Sequence, residues 1–256
     1  MKRDLKIFSD YDEMSRAAAG FMRETLAEKP GSVLCAASGN SPRKAYELMA
    51  KGYSEEGDRN PFKLLSLDEW VGLSAEHPAS GGYQLTQQLI RPLDLAGYFL
   101  FNGRFEDESR EINRAKDWLA ANGPIDLCVL GIGVNGHLGF NEPDDYLRPS
   151  AHKIALAESS KNHPMIGDST DYSPEFGITL GLGEILNARK VLLLVSGASK
   201  RAVMDRFFTK KVTTELPASF LWLHGDLTIM GDVEAVSERV RGGCFDFAQH
   251  REPAFA

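Results

Sequence analysis

The sequence predicts an α/β protein, a doubly wound and mostly parallel sheet with helices on both faces, and three observations carry that expectation. Strand-length apolar runs recur and close on glycine, serine or acidic residues. Segments with helical spacing lie between them. The runs at 125–131 and 190–196 are apolar on consecutive residues, as expected of a strand whose two faces are both covered by helices. The outline is therefore Rossmann-like.

In chain order, the first helical segment is SDYDEMSRAAAGFMRETLAEKPG. It offers Ser9 or Asp10 as N-cap, repeats apolar residues at steps of three and four, and stops at Pro30-Gly31. The strand-like runs are SVLCAAS (32–38), KLLSLDE (63–69), GYFLFNG (97–103), IDLCVLGIG (125–133), KVLLLVSG (190–197) and LTIMGD (227–232). The helical segments between them are SPRKAYELMAKG, YQLTQQLIRPL, DESREINRAKDWLAANG and SKRAVMDRFF. Residues 144–176 are the most irregular and read as a flap or insertion.

One domain spanning 1–256 is expected, since single α/β domains reach about 250 residues. With 43% hydrophobic and 25% charged residues, the chain can bury a substantial core. A net charge of -7 speaks against a nucleic-acid footprint, which needs a basic face. Any anionic ligand must then be held by a few placed donors. Cys35, Cys128 and Cys244 lack the spacing of a disulfide framework or a zinc site. No window has the apolar length of a membrane span, and the basic start has no apolar stretch behind it. The cytoplasm follows as the expected location, without a membrane partner.

Ligands of such sheets sit beyond the carboxyl ends of the strands, which directs attention to four loops. In SGNSPRKAY, a glycine- and hydroxyl-rich turn enters a helix, so Ser38, Gly39, Asn40 and Ser41 offer backbone N–H groups and the positive end of a helix dipole to a phosphate. Pro42 suits a first helical position, and Ser41 serves equally well as a plain N-cap. In SLDEW, alternation sends one of Asp68 and Glu69 into the crevice and the other towards a neighbouring layer. A carboxylate there can act as a proton-transfer base, or merely end a strand. The stretch GIGVNGHLGFNEP places His137 six residues past an apolar run and Glu142 five further on, with glycines on both sides of the histidine. An imidazole with a carboxylate partner can exchange protons near neutral pH. Lys200, in SGASK, opposes the dipole of the helix it opens, which a bound anion would offset. A dinucleotide site is set aside because HLGFNEP does not open a helix, and the Gly-x-Ser-x-Gly elbow of a serine hydrolase is absent.

Taken together, SGNSP, LDEWVGL, GIGVNGHLGFNEP, GITLGLGEILNARKVLLLVSGASK and LPASFLWLH resemble the glucosamine-6-phosphate deaminase/isomerase family, with the galactosamine-6-phosphate branch most similar. The likeness runs from about Ser32 to His224. It implies a cofactor-free, metal-free reaction in which a phosphorylated amino sugar is opened, isomerised from aldose to ketose and deaminated, with galactosamine 6-phosphate preferred and glucosamine 6-phosphate as the other epimer. By that resemblance His137 moves protons in ring opening, Glu142 orients it, and Asp68 shuttles a proton between C2 and C1. The phosphate rests on Ser38, Gly39, Asn40 and Ser41, with Lys200 as its cation. Asn135 stands where the glucosamine type has an aspartate; an amide orients the ring but brings no charge to it. No arginine in 144–176 clearly matches the family's second phosphate cation, and Lys161 is the stand-in. His77 and His224 also match family positions, with burial the preferred reading for His224. A 6-phosphogluconolactonase-type hydrolase and a sugar-phosphate sensor without turnover are the competing readings. A homo-oligomer is left open.

Overall fold

A computed structural model describes residues 2–58, 61–161, 166 and 172–242. The first half of the chain runs β1 (Lys2–Phe8), α1 (Tyr11–Ala27), β2 (Val33–Ala36), α2 (Asn40–Glu55), β3 (Lys63–Ser66), β4 (Asp68–Trp70), α3 (Gly81–Leu85), a π-helical stretch (Thr86–Ile90), α4 (Arg91–Leu93), β5 (Tyr98–Phe99) and α5 (Glu108–Asn122). The second half runs β6 (Leu127–Leu130), β7 (His152–Ala155), α6 (Glu158–Lys161), β8 (Phe176–Thr179), α7 (Leu182–Leu186), β9 (Lys190–Val195), a 3-10 turn (Ala198–Lys200), α8 (Arg201–Phe207), a 3-10 segment (Pro217–Leu223), β10 (Asp226–Asp232) and α9 (Glu238–Gly242).

Seven strands form one sheet in the order β1-β10-β9-β6-β2-β3-β5, and every neighbouring pair is parallel. Because side chains alternate along a strand, each strand feeds two cores. Leu34, Leu64, Leu127, Val129, Leu192 and Leu194 pack under α1, α2 and the 81–93 helix. Cys35, Leu65, Cys128, Leu130, Val191 and Leu193 pack under α5, α7 and α8. The expected doubly wound α/β architecture is therefore present. Among the described residues no helix is long and apolar enough to cross a membrane.

Several local expectations are sharpened or corrected. Asp10, and not Ser9, caps α1, accepting from Glu13 N at 2.8 Å, an interaction typically worth about 1 kcal/mol. The helix after β2 starts at Asn40 with Gly39 as its cap residue, so Ser41 is not the N-cap and Pro42 is the third helical residue. β1 was not foreseen: it is an edge strand whose residues are mostly half-buried, so KRDLKIF carries no continuous apolar signal, and pairing with β10 places it. The single strand expected at 63–69 breaks at Leu67. Lys63–Ser66 stays in the parallel sheet, while Asp68–Trp70 joins a separate antiparallel sheet of order β4-β8-β7. That second sheet draws on the irregular 144–176 segment, which contributes β7 and α6; within it, 162–165 and 167–171 lie outside the described residues, as does Cys244.

Candidate active site

The sheet's connectivity reverses between β2 and β6: from β2 the chain moves outward through β3 and β5, and from β6 it moves the other way through β9 and β10. At that switch point the loops leaving adjacent strands diverge and open a crevice. A cavity of about 430 Å³ lies there, lined by residues from the loops after β2, β6 and β9, by β4 and by α6. Ser38, Gly39, Asn40, Ser41, Asp68, His137 and Lys200 all face it. Asn135 and Glu142 stand behind His137 rather than on the wall.

The turn after β2 is fixed from below by Ala37 N on Val129 O at 3.1 Å and by the Tyr46 hydroxyl on Ala37 O at 3.0 Å. Gly39 sits at φ +117°, a conformation open to glycine and strained for other residues, and it swings the chain directly into α2. No side chain caps α2 and no acidic residue occupies its first turn, so its first N–H groups and the positive end of its dipole are left for a ligand. Across the cavity, Ser196 Oγ lies 3.5 Å from Ser41 Oγ. The Ser196–Lys200 loop is held by Asp232, which accepts from Gly197 N at 3.0 Å. Lys200 Nζ donates to Ile132 O at 2.7 Å, and burial lowers its pKa. Lys200 lies in the 3-10 turn that precedes α8, not in the first turn of α8 itself.

β4 divides its two carboxylates as alternation requires. Glu69 is buried and tied up: it accepts from Ser80 Oγ at 2.7 Å, Gly82 N at 2.8 Å, Gly81 N at 3.2 Å and Trp70 N at 2.8 Å. Burial raises its pKa, against the pull of those donors. Asp68 is half-buried and turned to the cavity. Enclosure by protein, with the charge of Glu69 beside it, raises its pKa to about 7. A carboxyl group poised there exchanges protons readily at neutral pH.

The loop after β6 folds back on itself, with Gly136 N on Gly133 O at 2.9 Å and Gly133 N on His137 O at 3.0 Å. This brings the imidazole over Gly133, where a Cβ would lie 2.4 Å from the ring. His137 Nδ1 stands 3.2 Å from Glu142 Oε2, so the other ring nitrogen is left for the cavity. Glu142 also accepts from Asn135 Nδ2 at 2.8 Å and from the Ser160 hydroxyl at 2.5 Å. Burial pushes its pKa up, but the donors His137, Ser160 and Asn135 outweigh burial and hold it below the ordinary glutamate value. Asn135 Oδ1 in turn accepts from His137 N at 3.2 Å. Trp70 and Phe140, with ring centroids 4.6 Å apart, supply an apolar wall of the same cavity.

Some expectations do not hold, and some residues were not anticipated. Lys161 does not face the cavity. It is paired with Glu158 at 3.0 Å and Glu175 at 3.1 Å, and those two carboxylates raise its pKa, so it is no stand-in for a phosphate cation. His224 is buried, with Nε2 on Ala188 O at 2.8 Å and Nδ1 accepting from Asp226 N at 3.0 Å; it is structural. His77 accepts from Ala79 N at 3.1 Å within its own turn. Ser196 and Ser199 lie in SGASK, a loop noted for its lysine alone. Ser160 carries no sequence signal, because its partners are 18 and 23 residues away. Among the described residues no group of three or more His, Cys, Asp or Glu side chains is placed to hold a metal ion.

Comparison with known proteins covers most of the chain. A profile of the family described as glucosamine-6-phosphate isomerases/6-phosphogluconolactonase matches residues 9–229. A protein of Escherichia coli (strain K12) provisionally named a deaminase, AgaI, is 39% identical over 224 residues, covering 87% of this chain and 89% of that protein. A glucosamine-6-phosphate deaminase of Thermoanaerobacter sp. (strain X514) is 36% identical over 232 residues, covering 89% and 92%. Among solved structures, a monomeric glucosamine-6-phosphate deaminase superimposes with a TM-score of 0.85 at 31% identity, over 92% of this chain and 98% of the other.

Proposed function

The chain belongs to the enzyme family of glucosamine-6-phosphate isomerases and 6-phosphogluconolactonases, and from that premise we propose that it converts a 2-amino-2-deoxyhexose 6-phosphate to a ketohexose 6-phosphate and ammonia. Galactosamine 6-phosphate is the preferred epimer in this reading, on the likeness of LDEWVGL, GIGVNGHLGFNEP and LPASFLWLH to the galactosamine branch. The reading takes the whole chain as one domain and needs no cofactor.

One arrangement supports it above all. A carboxyl group with a pKa of about 7 and a carboxylate-held histidine share a single hollow with an uncapped helix start and a lysine. The phosphate of the substrate is assigned to the N–H groups and hydroxyls of Ser38–Ser41, with Lys200 supplying the charge. His137, through the nitrogen not engaged by Glu142, takes the C1 hydroxyl proton and returns one to the ring oxygen, opening the ring. Asp68 removes the proton at C2 while the substrate's ammonium gives one to the C1 oxygen, and the aminoenol so formed takes the proton held by Asp68 at C1, so that the aldose becomes the C2 iminium of the ketose. Water adds at C2, the amine leaves as ammonia, and the ketone remains. Glu142 stabilises the histidine while it holds the extra proton, and Asn135 keeps Glu142 in place.

The test is to incubate the pure chain with galactosamine 6-phosphate, glucosamine 6-phosphate and 6-phosphogluconolactone in parallel. Ammonia release from the first exceeding that from the second is expected, with no catalysed lactone opening. Lactone hydrolysis without ammonia would install the hydrolase reading. Binding of amino-sugar phosphate without any turnover would install the sensor.

A further inference from the structure

A second hollow of about 520 Å³ runs between α2 and the 81–93 helix, outside the catalytic cavity. This volume falls in the range that accommodates a small molecule. Its lining includes Arg43 and Lys51 from α2, and Tyr83, Gln84, Gln87 and Gln88 from the facing helix.

Buried, unmet side-chain carbonyls mark it as more than a packing gap. Gln84 and Gln88 are each only 9% exposed, yet the side-chain carbonyl oxygen of each is buried with no hydrogen-bond partner. An unmet buried acceptor costs stability, and both of these belong to side chains that line the same groove. The helix also leaves α-geometry here: Thr86–Ile90 is π-helical, a distortion that is itself unfavourable and concentrates at functional sites. Pro92, which has no N–H and crowds the carbonyl of Gln88, gives a local reason for the wide turn, so the unmet carbonyls are what marks the groove.

From these features we infer that the groove is a binding site for a neutral, polyhydroxylated ligand of sugar size. The required chemistry is hydrogen-bond donation to two amide carbonyls. A hydroxyl both donates and accepts, so it meets a glutamine amide whichever way that amide is turned, and rotation about the last side-chain bond is soft. The charges argue against an anion: Lys51 faces Glu55 at 3.7 Å, and Glu47 lines the groove one helical turn from Arg43. Tyr83, Pro78 and Pro92 supply apolar surface for the C–H faces of a sugar ring. The catalytic cavity, by contrast, is built for a phosphate, so the two sites select different molecules. This inference stands apart from the deaminase reading. α2 and the 81–93 helix join the two sites, since α2 begins in the catalytic cavity and Gly81 and Gly82 hold Glu69.

The probes are galactose and the acyclic polyol galactitol, titrated calorimetrically into the full chain. One saturable site per chain is expected for at least one of them, undisturbed by an excess of glucose 6-phosphate and unchanged in Lys200→Met. The double variant Gln84→Met/Gln88→Met is expected to weaken that binding by about tenfold or more, the effect of losing roughly one hydrogen bond's worth of affinity. The same variant, without ligand, is expected to melt at a higher temperature than the native chain, because the unmet carbonyls are gone. No saturable binding of either probe, competition by glucose 6-phosphate, or undiminished affinity in the double variant would each overturn the inference.

Discussion

Asp68 and Ser160 show how single residues set the properties of this site. The fold raises the pKa of Asp68 from 3.8 to about 7, so its neutral form is the one the fold prefers. The sign of the linkage follows: the stabilising effect of the neutral carboxyl is fully present below the unfolded pKa and is lost as pH rises through about 7. Asp68→Asn, which stays neutral, is therefore expected to raise Tm at about pH 8 and to leave it unchanged at about pH 3. Thermal melts across that range check this, and a Tm lowered at about pH 8 would contradict it. Ser160 donates to the carboxylate that holds His137. Ser160→Ala removes a hydrogen bond to a charged group, worth about 1.5 kcal/mol at the low end, so kcat/KM for the amino-sugar phosphate is expected to fall about tenfold. With one donor fewer, Glu142 protonates more easily and holds His137 less firmly. Ser160→Thr, which keeps the hydroxyl, should restore the rate.

Elements show where sequence reading succeeds and where it stops. Each parallel strand that is buried on both faces was legible, because its apolar run needs no context. The edge strand β1 was not, since a half-exposed strand has no such run and owes its place to β10. The break at Leu67 was hidden for a different reason: KLLSLDEW reads as one strand, and only pairing with β8 shows that its end belongs to a second sheet. The loop after β6 was legible as residue types, His137 with Glu142, because glycines on both sides leave few other uses for that segment. Its geometry was not, for the ring is positioned by what glycine leaves out. A Cβ on residue 133 would collide with the imidazole at 2.4 Å. Gly133→Ala is expected to displace the ring and lower kcat about a hundredfold, the scale of an ångström's misplacement, with circular dichroism unchanged. Near-native turnover in Gly133→Ala would show that the ring position is not critical.

At the scale of the whole molecule, the sheet order determines what can meet. Asp68 belongs to β4 of the small sheet, His137 to the loop after β6, and the proposed phosphate cradle to the loops after β2 and β9; only the reversal between β2 and β6 gathers them into one hollow. The position of that hollow could be anticipated from the α/β pattern, because the rule for the carboxyl ends of parallel strands is general. The contribution of the 144–176 segment could not, since Ser160 reaches the site through long-range contacts that no local pattern encodes. Such a gathering suits proton transfer, and in the proposed reaction the decisive step is the one at C2. The most direct measurement is the rate of ammonia release from galactosamine 6-phosphate by native chain and by Asp68→Asn across pH. The native rate should rise through about pH 7 as the carboxyl ionises, and the variant should lose about 10²- to 10⁴-fold in kcat and show no such rise. A variant that releases ammonia at the native rate would contradict the role of Asp68 and, with it, the mechanism.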